Sequence, residues 1–530
     1  MKTYPSPRVL ASAAILTISG MSLTPSAMAA QGQPATAKVV AAEADRLSGE
    51  GKFGEAFKRA EQAVGLARAR PRDLDGMATA LTAACTHAAP IDIQKSLAYC
   101  EEAAVASEAA YGADAVKTLS ARASVAQLYT VFGRIAEADA LYGVIISGLK
   151  AKPSLDDVGR KELAANHCYR AQARFVLGRW ADSEADFKEA IARLSVLPPA
   201  VGVSDLSVCQ TWLADRYMRW GRYEDARVLL ADALKVREAH FPANHPDTAD
   251  TLGVYGDLLT RMGRYDEAEP LLRRALNIAE TADAPQPGVI GRGLQNLGKL
   301  YLATGRIEDA APLLERAAVI YLGIGDAGRN NAATAYFDLA KAYRDAGRFA
   351  EGLPYAEKAL ELARTAKTAP GTDAEILIAK ARLEYGRGDV AAGAASADES
   401  VSIYRKVGLS GPRLAGALAV AAEGAERRGD HRAALGLYSD ASALLKDGGL
   451  TSRGRALVSA GVARETLATG GPAASAWTAG DAGAELLTAD LVAASRSPGQ
   501  RLTAGFSAET RSVFQTAVDA AWAYGETIKP

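Results

Sequence analysis

The chain has 530 residues, of which 49% are hydrophobic and 23% are charged. This composition excludes an intrinsically disordered chain, and the length allows several domains or one long array of repeats. The 61 Lys and Arg residues are balanced by 62 Asp and Glu residues, so nucleic acid is not expected as a partner. Five histidines and four cysteines leave little material for metal sites or histidine-based catalysis. We therefore expect no metal, no cofactor and no catalytic residues.

Residues 1–29 have the pattern of a secretory signal peptide. Lys2 and Arg8 precede an apolar run over 9–18, and small residues follow, with cleavage predicted after Ala29. The run is half the roughly 20 residues that a membrane-spanning helix needs, and no later segment of the sequence has the length and apolar character that a span requires. We expect a periplasmic or secreted mature chain without a membrane span.

A glycine followed by arginine recurs every 42 residues, at Gly221, Gly263, Gly305 and Gly347. Weaker copies extend this frame in both directions, and such self-similarity is typical of repeat architectures. The pattern predicts about ten units over residues 37–483, with the clearest copies over 115–365. Helical segments over 484–530 are predicted to cap the array, because a repeat array needs its last apolar face covered.

Each unit is predicted to be a helical hairpin. Apolar residues recur at spacings of three and four on both sides of each glycine, and no segment alternates with a period of two. The glycine ends the first helix, and acidic residues open the second. Alanine and glycine hold fixed places, such as Ala275 and Gly298, which predicts close contact between the paired helices. The predicted fold is all-α.

Several residues of one unit carry a family resemblance: Leu297, Gly298, Tyr301, Gly305, Ala310 and Ala317. This pattern resembles the tetratricopeptide repeat. The long period and the segments 245–249 and 267–272 resemble the 42-residue subclass found in kinesin light chains and many bacterial proteins. The resemblance implies a right-handed α-solenoid whose first helices line a concave face. It also implies binding of a peptide or protein rather than catalysis.

On that frame, the residues of the first helices that would face a ligand can be named. The position six residues before the turn glycine is acidic in two successive units and basic in the next three. Further polar and aromatic side chains lie near this position. The candidate binding residues are Asp215, Asp257, Gln295, Lys299, Phe337, Lys341, Arg344 and Arg382. One interpretation is a groove whose basic half receives acidic groups of a partner. The alternative is a charged outer face with no ligand.

The four cysteines fall into two pairs on this frame. Cys85 and Cys100 lie on the two helices of one hairpin, and Cys168 and Cys209 lie at one level of adjacent first helices. Both pairs could lie within bridging distance, and an exported protein favours disulfides. Four buried free thiols remain the alternative.

The sequence therefore predicts an exported, non-catalytic scaffold that binds a peptide or protein of the cell envelope along its concave face. Two alternatives stay open. Residues 511–522 faintly resemble the helical segment that precedes a caspase-like module, so the chain could be a regulatory or non-catalytic subunit of such a peptidase system. It could also be an architectural spacer.

Overall fold

A computed structural model describes residues 36–50, 52–242, 244–282, 285–366, 371–445, 452–495 and 508–527. The predicted signal peptide and its cleavage after Ala29 lie outside the described residues. The described residues form 23 α-helices and no strand, which confirms the all-α prediction.

The helices, in chain order, are α1 (Ala37–Gly49), α2 (Phe53–Arg68), α3 (Leu74–Ala88), α4 (Ile93–Tyr111), α5 (Val116–Val131), α6 (Ile135–Lys150), α7 (Asp157–Val176), α8 (Trp180–Leu194), α9 (Pro199–Arg219), α10 (Tyr223–His240), α11 (Pro246–Arg261), α12 (Tyr265–Thr281), α13 (Pro287–Ala303), α14 (Ile307–Gly323), α15 (Asp326–Asp345), α16 (Phe349–Thr365), α17 (Thr372–Gly386), α18 (Val390–Lys406), α19 (Pro412–Arg427), α20 (His431–Ala443), α21 (Ser452–Ala468), α22 (Ala473–Ser495) and α23 (Ala508–Thr527). Odd-numbered helices up to α21 are the first helices of successive hairpins, and the helix after each is the second.

The turn glycines end the first helices in the same way in successive units. Gly221, Gly263, Gly305 and Gly347 all have a left-handed φ between 72° and 77°. The arginine after each glycine donates its backbone N–H to a carbonyl five residues earlier, at 2.8 Å in all four units. This is the Schellman arrangement, in which glycine avoids the strain that a Cβ would bring. The predicted equivalence of these four bends is confirmed.

Small residues stand where the paired helices touch. Ala226, Ala268 and Ala310, five residues after their glycines, are fully buried. At Gly298 in α13, an added Cβ would lie 2.7 Å from Cγ of Leu314 in α14. The close approach of the helices therefore depends on the absence of side-chain volume at these places.

A tyrosine, an arginine and an acidic residue join neighbouring units at the turns. The guanidinium of Arg306 lies 4.0 Å from the ring centroid of Tyr301, and the Tyr301 hydroxyl donates to Glu269 Oε1 of the preceding second helix at 3.0 Å. Arg222 stacks on Tyr217 at the same distance, and the Tyr217 hydroxyl contacts a glutamate of its own preceding helix. The arginine of the glycine–arginine pair thus packs on the tyrosine four residues before the glycine.

The chain divides into two compact units, Met1–Leu258 with Ile278–Pro285, and Leu259–Asn277 with Gln286–Pro530. In the first unit, the first helices α5, α7 and α9 pack successively on one another. In the second, α13, α15, α17 and α19 do so, and α23 packs on both helices of the last hairpin, α21 and α22. The described part of the array is therefore an all-α helical repeat solenoid.

The C-terminal end differs in detail from the sequence-based boundary. Residue 484, where the predicted cap begins, lies inside the continuous helix α22. Val513 of α23 is buried in an apolar cluster with Ala456, Ala460 and Leu487. The apolar face of the last hairpin is thus covered by α23.

Candidate peptide-binding cleft

The second unit contains a cleft of about 550 Å³ between the C-terminal halves of two adjacent first helices, α13 and α15. We call it the lysine cleft. It is lined by Lys299, Leu302, Ala303, Gly305, Ile307, Asp338, Lys341, Ala342, Asp345 and Ala346. Two of the predicted binding residues, Lys299 and Lys341, therefore face one site. The helix packing places them together, because they occupy the same position in successive repeats.

The two lysines of the cleft flank one carboxylate. Lys341 Nζ lies 2.8 Å from Asp338 Oδ1, and Lys299 Nζ lies 3.7 Å from Asp338 Oδ2. The lysine side chains are 40% and 35% exposed, whereas the Asp338 side chain is 12% exposed. The site thus presents two accessible ammonium groups above a nearly buried carboxylate.

The structure adds acidic residues to the half of the groove that the sequence predicts to be basic. Asp338 and Asp345 line the cleft, and Arg344 is paired with Asp345 at 2.7 Å. Sequence reasoning missed Asp338 and Asp345 because it considered only the positions three, six and ten residues before the turn glycine. Asp338 precedes Lys341 by three residues, a spacing that places them on one face of a helix, and this signal could have found it.

Phe337, Gln295 and Arg382 do not line the lysine cleft. Phe337 is half-buried beside it, with Lys341 Nζ 4.6 Å from its ring centroid. Gln295 is buried, and its Oε1 accepts a hydrogen bond from the Tyr321 hydroxyl at 3.3 Å. Gln295 therefore joins α13 to α14. Arg382 is partly exposed on α17, the next first helix.

The two predicted acidic residues lie in the first unit. Asp215 on α9 pairs with Arg216 and Arg219, each at 3.0 Å. Asp257 is partly exposed on α11. The charge of Asp215 is thus balanced by two arginines of its own helix.

The structure brings both cysteine pairs into contact. It joins Cys85 to Cys100, with Cα atoms 4.8 Å apart, and Cys168 to Cys209, with Cα atoms 6.0 Å apart. The first bond links the helices of one hairpin, α3 and α4. The second links the first helices of neighbouring hairpins, α7 and α9.

Beside the second bond lies a buried ionic cluster that the sequence analysis missed. Asp186 on α8 accepts hydrogen bonds from Arg170 Nε and Arg174 Nη1, both at 2.8 Å, and its Oδ1 lies 2.7 Å from His167 Nδ1. Burial by itself would raise the pKa of Asp186, but the hydrogen bonds, first that with His167, lower it below its ordinary value. Arg170 stands eight residues before its turn glycine, where Leu213 and Leu297 are buried. Arg170, at a position that other units fill with a buried leucine, was the sequence signal by which this cluster could have been predicted.

No group of residues that could hold a metal ion occurs in the described part of the chain. None of the described helices is long and apolar enough to cross a membrane. The glycine-rich stretch 323–328, which has the spacing of a dinucleotide-binding loop, runs from the last residue of α14 into the first turn of α15 and does not follow a strand.

The comparison with protein families agrees with the helical repeats. A tetratricopeptide repeat family model matches residues 207–281 and 291–365. No curated protein matches the sequence significantly. Among solved structures, BtubC (BKLC) from P. vanneervenii is similar over 44% of this chain and 92% of its own, with 18% identity and a TM-score of 0.38.

Two further structures are similar. A Podosopora anserina protein with nearly identical, TPR-like kinesin light chain repeats matches 38% of this chain and 93% of its own, with 22% identity and a TM-score of 0.33. The Rap protein, complexed with competence and sporulation factor, matches 67% of this chain and 93% of its own, with 13% identity and a TM-score of 0.43.

The fold and the matched repeats define the class of protein, an α-helical repeat scaffold for protein interactions. The chain contains tetratricopeptide repeats over residues 207–281 and 291–365, and their 42-residue period is the one expected of the kinesin-light-chain-like kind. Proteins built from these repeats are typically non-catalytic.

Proposed function

We propose that the chain is an exported scaffold that binds an acidic peptide or protein segment of a cell-envelope partner on the first helices of its second unit. The observation that carries this proposal is the pair of accessible ammonium groups, Lys299 and Lys341, that line one cleft of about 550 Å³. Cationic groups at a partly apolar cleft attract a carboxylate-bearing segment and orient it as it approaches. Arg382 lies on α17, the first helix of the following hairpin, and adds a positive charge there.

The binding prediction can be tested with a fluorescein-labelled peptide of alternating Glu and Ala residues. The triple variant Lys299→Glu, Lys341→Glu and Arg382→Glu should weaken its binding at least tenfold in fluorescence anisotropy, because attraction becomes repulsion at each position. Affinity for the unaltered protein should fall as salt is added. Circular dichroism of the variant should stay unchanged, since the three side chains are partly exposed.

The matched control carries the same change of charge elsewhere. Lys58, Lys235 and Arg432 are exposed on other helices, so their replacement by Glu should leave binding nearly unaltered. Equal affinity of both triple variants and the unaltered protein would rule out the proposed site.

Export is supported by the signal-like pattern of residues 1–29 and by two cysteine pairs within bonding distance. Mass spectrometry of the protein recovered from the envelope fraction should find a chain that begins at Ala30. Recovery of the uncleaved chain in the reducing cytoplasm would contradict export. Crosslinking in that same fraction would then identify the partner.

A further inference from the structure

Three acidic residues occupy one repeat position on successive first helices of the first unit. Glu162, Asp205 and Asp247 each stand sixteen residues before their turn glycine, on α7, α9 and α11. We call this row the acidic junction. Helices α7 and α9 pack directly on each other, and the hydroxyl oxygens of Thr211 on α9 and Thr251 on α11 lie 3.3 Å apart. Like charges therefore meet at one level of neighbouring helices, where each disfavours the ionised form of the next.

Asp205, the middle member of the acidic junction, meets charges of both signs. Its side chain is 12% exposed, and Lys161 Nζ of α7 lies 3.2 Å from its Oδ2. The negative charge of Asp247 acts on it from α11. Asp247 in turn lies 3.8 Å from the guanidinium of Arg237 on α10, a side chain that is 2% exposed and is also attracted by Asp250. A proton on Asp205 therefore changes the balance of charge at a point where α7, α9 and α11 interact.

Burial and the row of like charges favour the protonated carboxyl groups. Burial raises the pKa of Asp205 above its ordinary value, the ammonium group of Lys161 offsets part of this rise, and the charge of Asp247 adds to it. Burial also raises the pKa of Glu162; a hydrogen bond with Ser120 of α5 and the charge of Lys161 oppose the rise, and the charge of Asp205 adds to it.

The sign of the effect on stability follows from these directions. A carboxyl group whose pKa is higher in the folded chain than in the unfolded chain stabilises the fold below the unfolded value, which is about 4 for Asp and Glu. This contribution is lost as the pH rises through the higher folded value. Glu162 and Asp205 therefore make the contact between α7 and α9 more stable in mild acid than at neutral pH.

We propose that the acidic junction is a proton-sensitive clasp of the first unit, in which uptake of a proton by Asp205 or Glu162 tightens the packing of α7 against α9 and its release loosens that packing. The two groups interact, so the titration belongs to the pair rather than to either residue. The inference concerns the first unit alone and holds whatever ligand the lysine cleft binds.

The experiment measures local stability in the full chain by amide hydrogen exchange and mass spectrometry at pH 5 and pH 7, corrected for intrinsic exchange rates. The readout is the ratio of the protection at pH 5 to that at pH 7 for peptides from α7 and α9. The double variant Glu162→Gln with Asp205→Asn keeps the shapes of both side chains but cannot titrate, so its ratio should be severalfold smaller than that of the unaltered protein. Histidines titrate in the same range, but they contribute equally to both proteins.

A second variant should act in the opposite direction. Lys161→Gln removes the ammonium group that lowers the pKa of Asp205, so its ratio should exceed that of the unaltered protein. The matched control, Glu224→Gln with Asp225→Asn, removes two carboxylates of α10 that are 68% and 51% exposed, and it should leave the ratio unchanged.

Three results would overturn the inference. The first is an equal ratio in the unaltered protein and in the double variant of Glu162 and Asp205. The second is a ratio in Lys161→Gln that is no larger than in the unaltered protein. The third is the same decrease in the control variant, because the response would then depend on net charge and not on the acidic junction.

Discussion

The two cysteine pairs give a prediction whose size can be worked from the chain. Cys85–Cys100 closes a loop with a sequence separation of 15, and Cys168–Cys209 one with a separation of 41. On the chain-entropy account, a bridge stabilises the fold by restricting the unfolded chain, more so for a longer loop. The expected contributions are about 3 kcal/mol for the first pair and about 4 kcal/mol for the second.

The perturbation is replacement of each pair by alanine, Cys85→Ala with Cys100→Ala and Cys168→Ala with Cys209→Ala. Urea denaturation of the full chain, followed by circular dichroism, should show that both variants unfold at lower urea, with the larger loss for the second pair. Reduction of the unaltered protein supplies the control, because it breaks both bonds without removing a side chain. In the variant that lacks all four cysteines, reductant should change nothing.

Thiol titration of the denatured, unreduced protein tests the premise directly. No free thiol is expected in protein recovered from the envelope. Four titratable thiols would show that the cysteines are buried side chains without bonds. A denaturation curve that reductant leaves unchanged would refute the stability reasoning even if the bonds form.

Three further predictions concern the repeats themselves. Ala275→Phe should lower the melting temperature, because Ala275 is 3% exposed and overpacking costs about 1–3 kcal/mol. The control, Ala192→Phe at an exposed position, should have little effect. Equal melting curves of the two variants would contradict the repeat register. Asp186→Asn should destabilise the first unit by about 3 kcal/mol in urea denaturation, because it leaves two partly buried arginines without a full countercharge; a gain in stability would show that the cluster is dispensable. Burial by itself would raise the pKa of Glu184, but hydrogen bonds, first from Lys188, lower it to about 2. The stabilisation by ionised Glu184 is therefore present above about pH 4 and lost as the pH falls toward 2. It should amount to about 1 kcal/mol after solvent screening, and Glu184→Gln should flatten the melting temperature over that pH range; parallel profiles would contradict the reasoning.

The position of the lysine cleft shows how far repeat spacing carries a prediction. Lys299 and Lys341 were predicted as groove residues because they occupy one place in successive 42-residue units, and the structure brings both to one cleft. Gln295 was predicted in the same way, but it is buried against Tyr321. The difference arises because spacing gives the height of a residue and the side of its own helix, whereas its burial depends on what the neighbouring helices place against that side.

The sequence by itself determined the helical hairpins and their bends. A turn glycine such as Gly305 and a small residue such as Gly298 act within one hairpin, so their signals recur at a fixed spacing and can be read without a structure. Only the tertiary structure decided that Lys299 of α13 lies near Asp338 of α15 and that Asp186 of α8 accepts a hydrogen bond from Arg170 of α7. Such contacts join residues far apart in the chain, and they depend on the packing distance and rotation of whole helices, which no local pattern records.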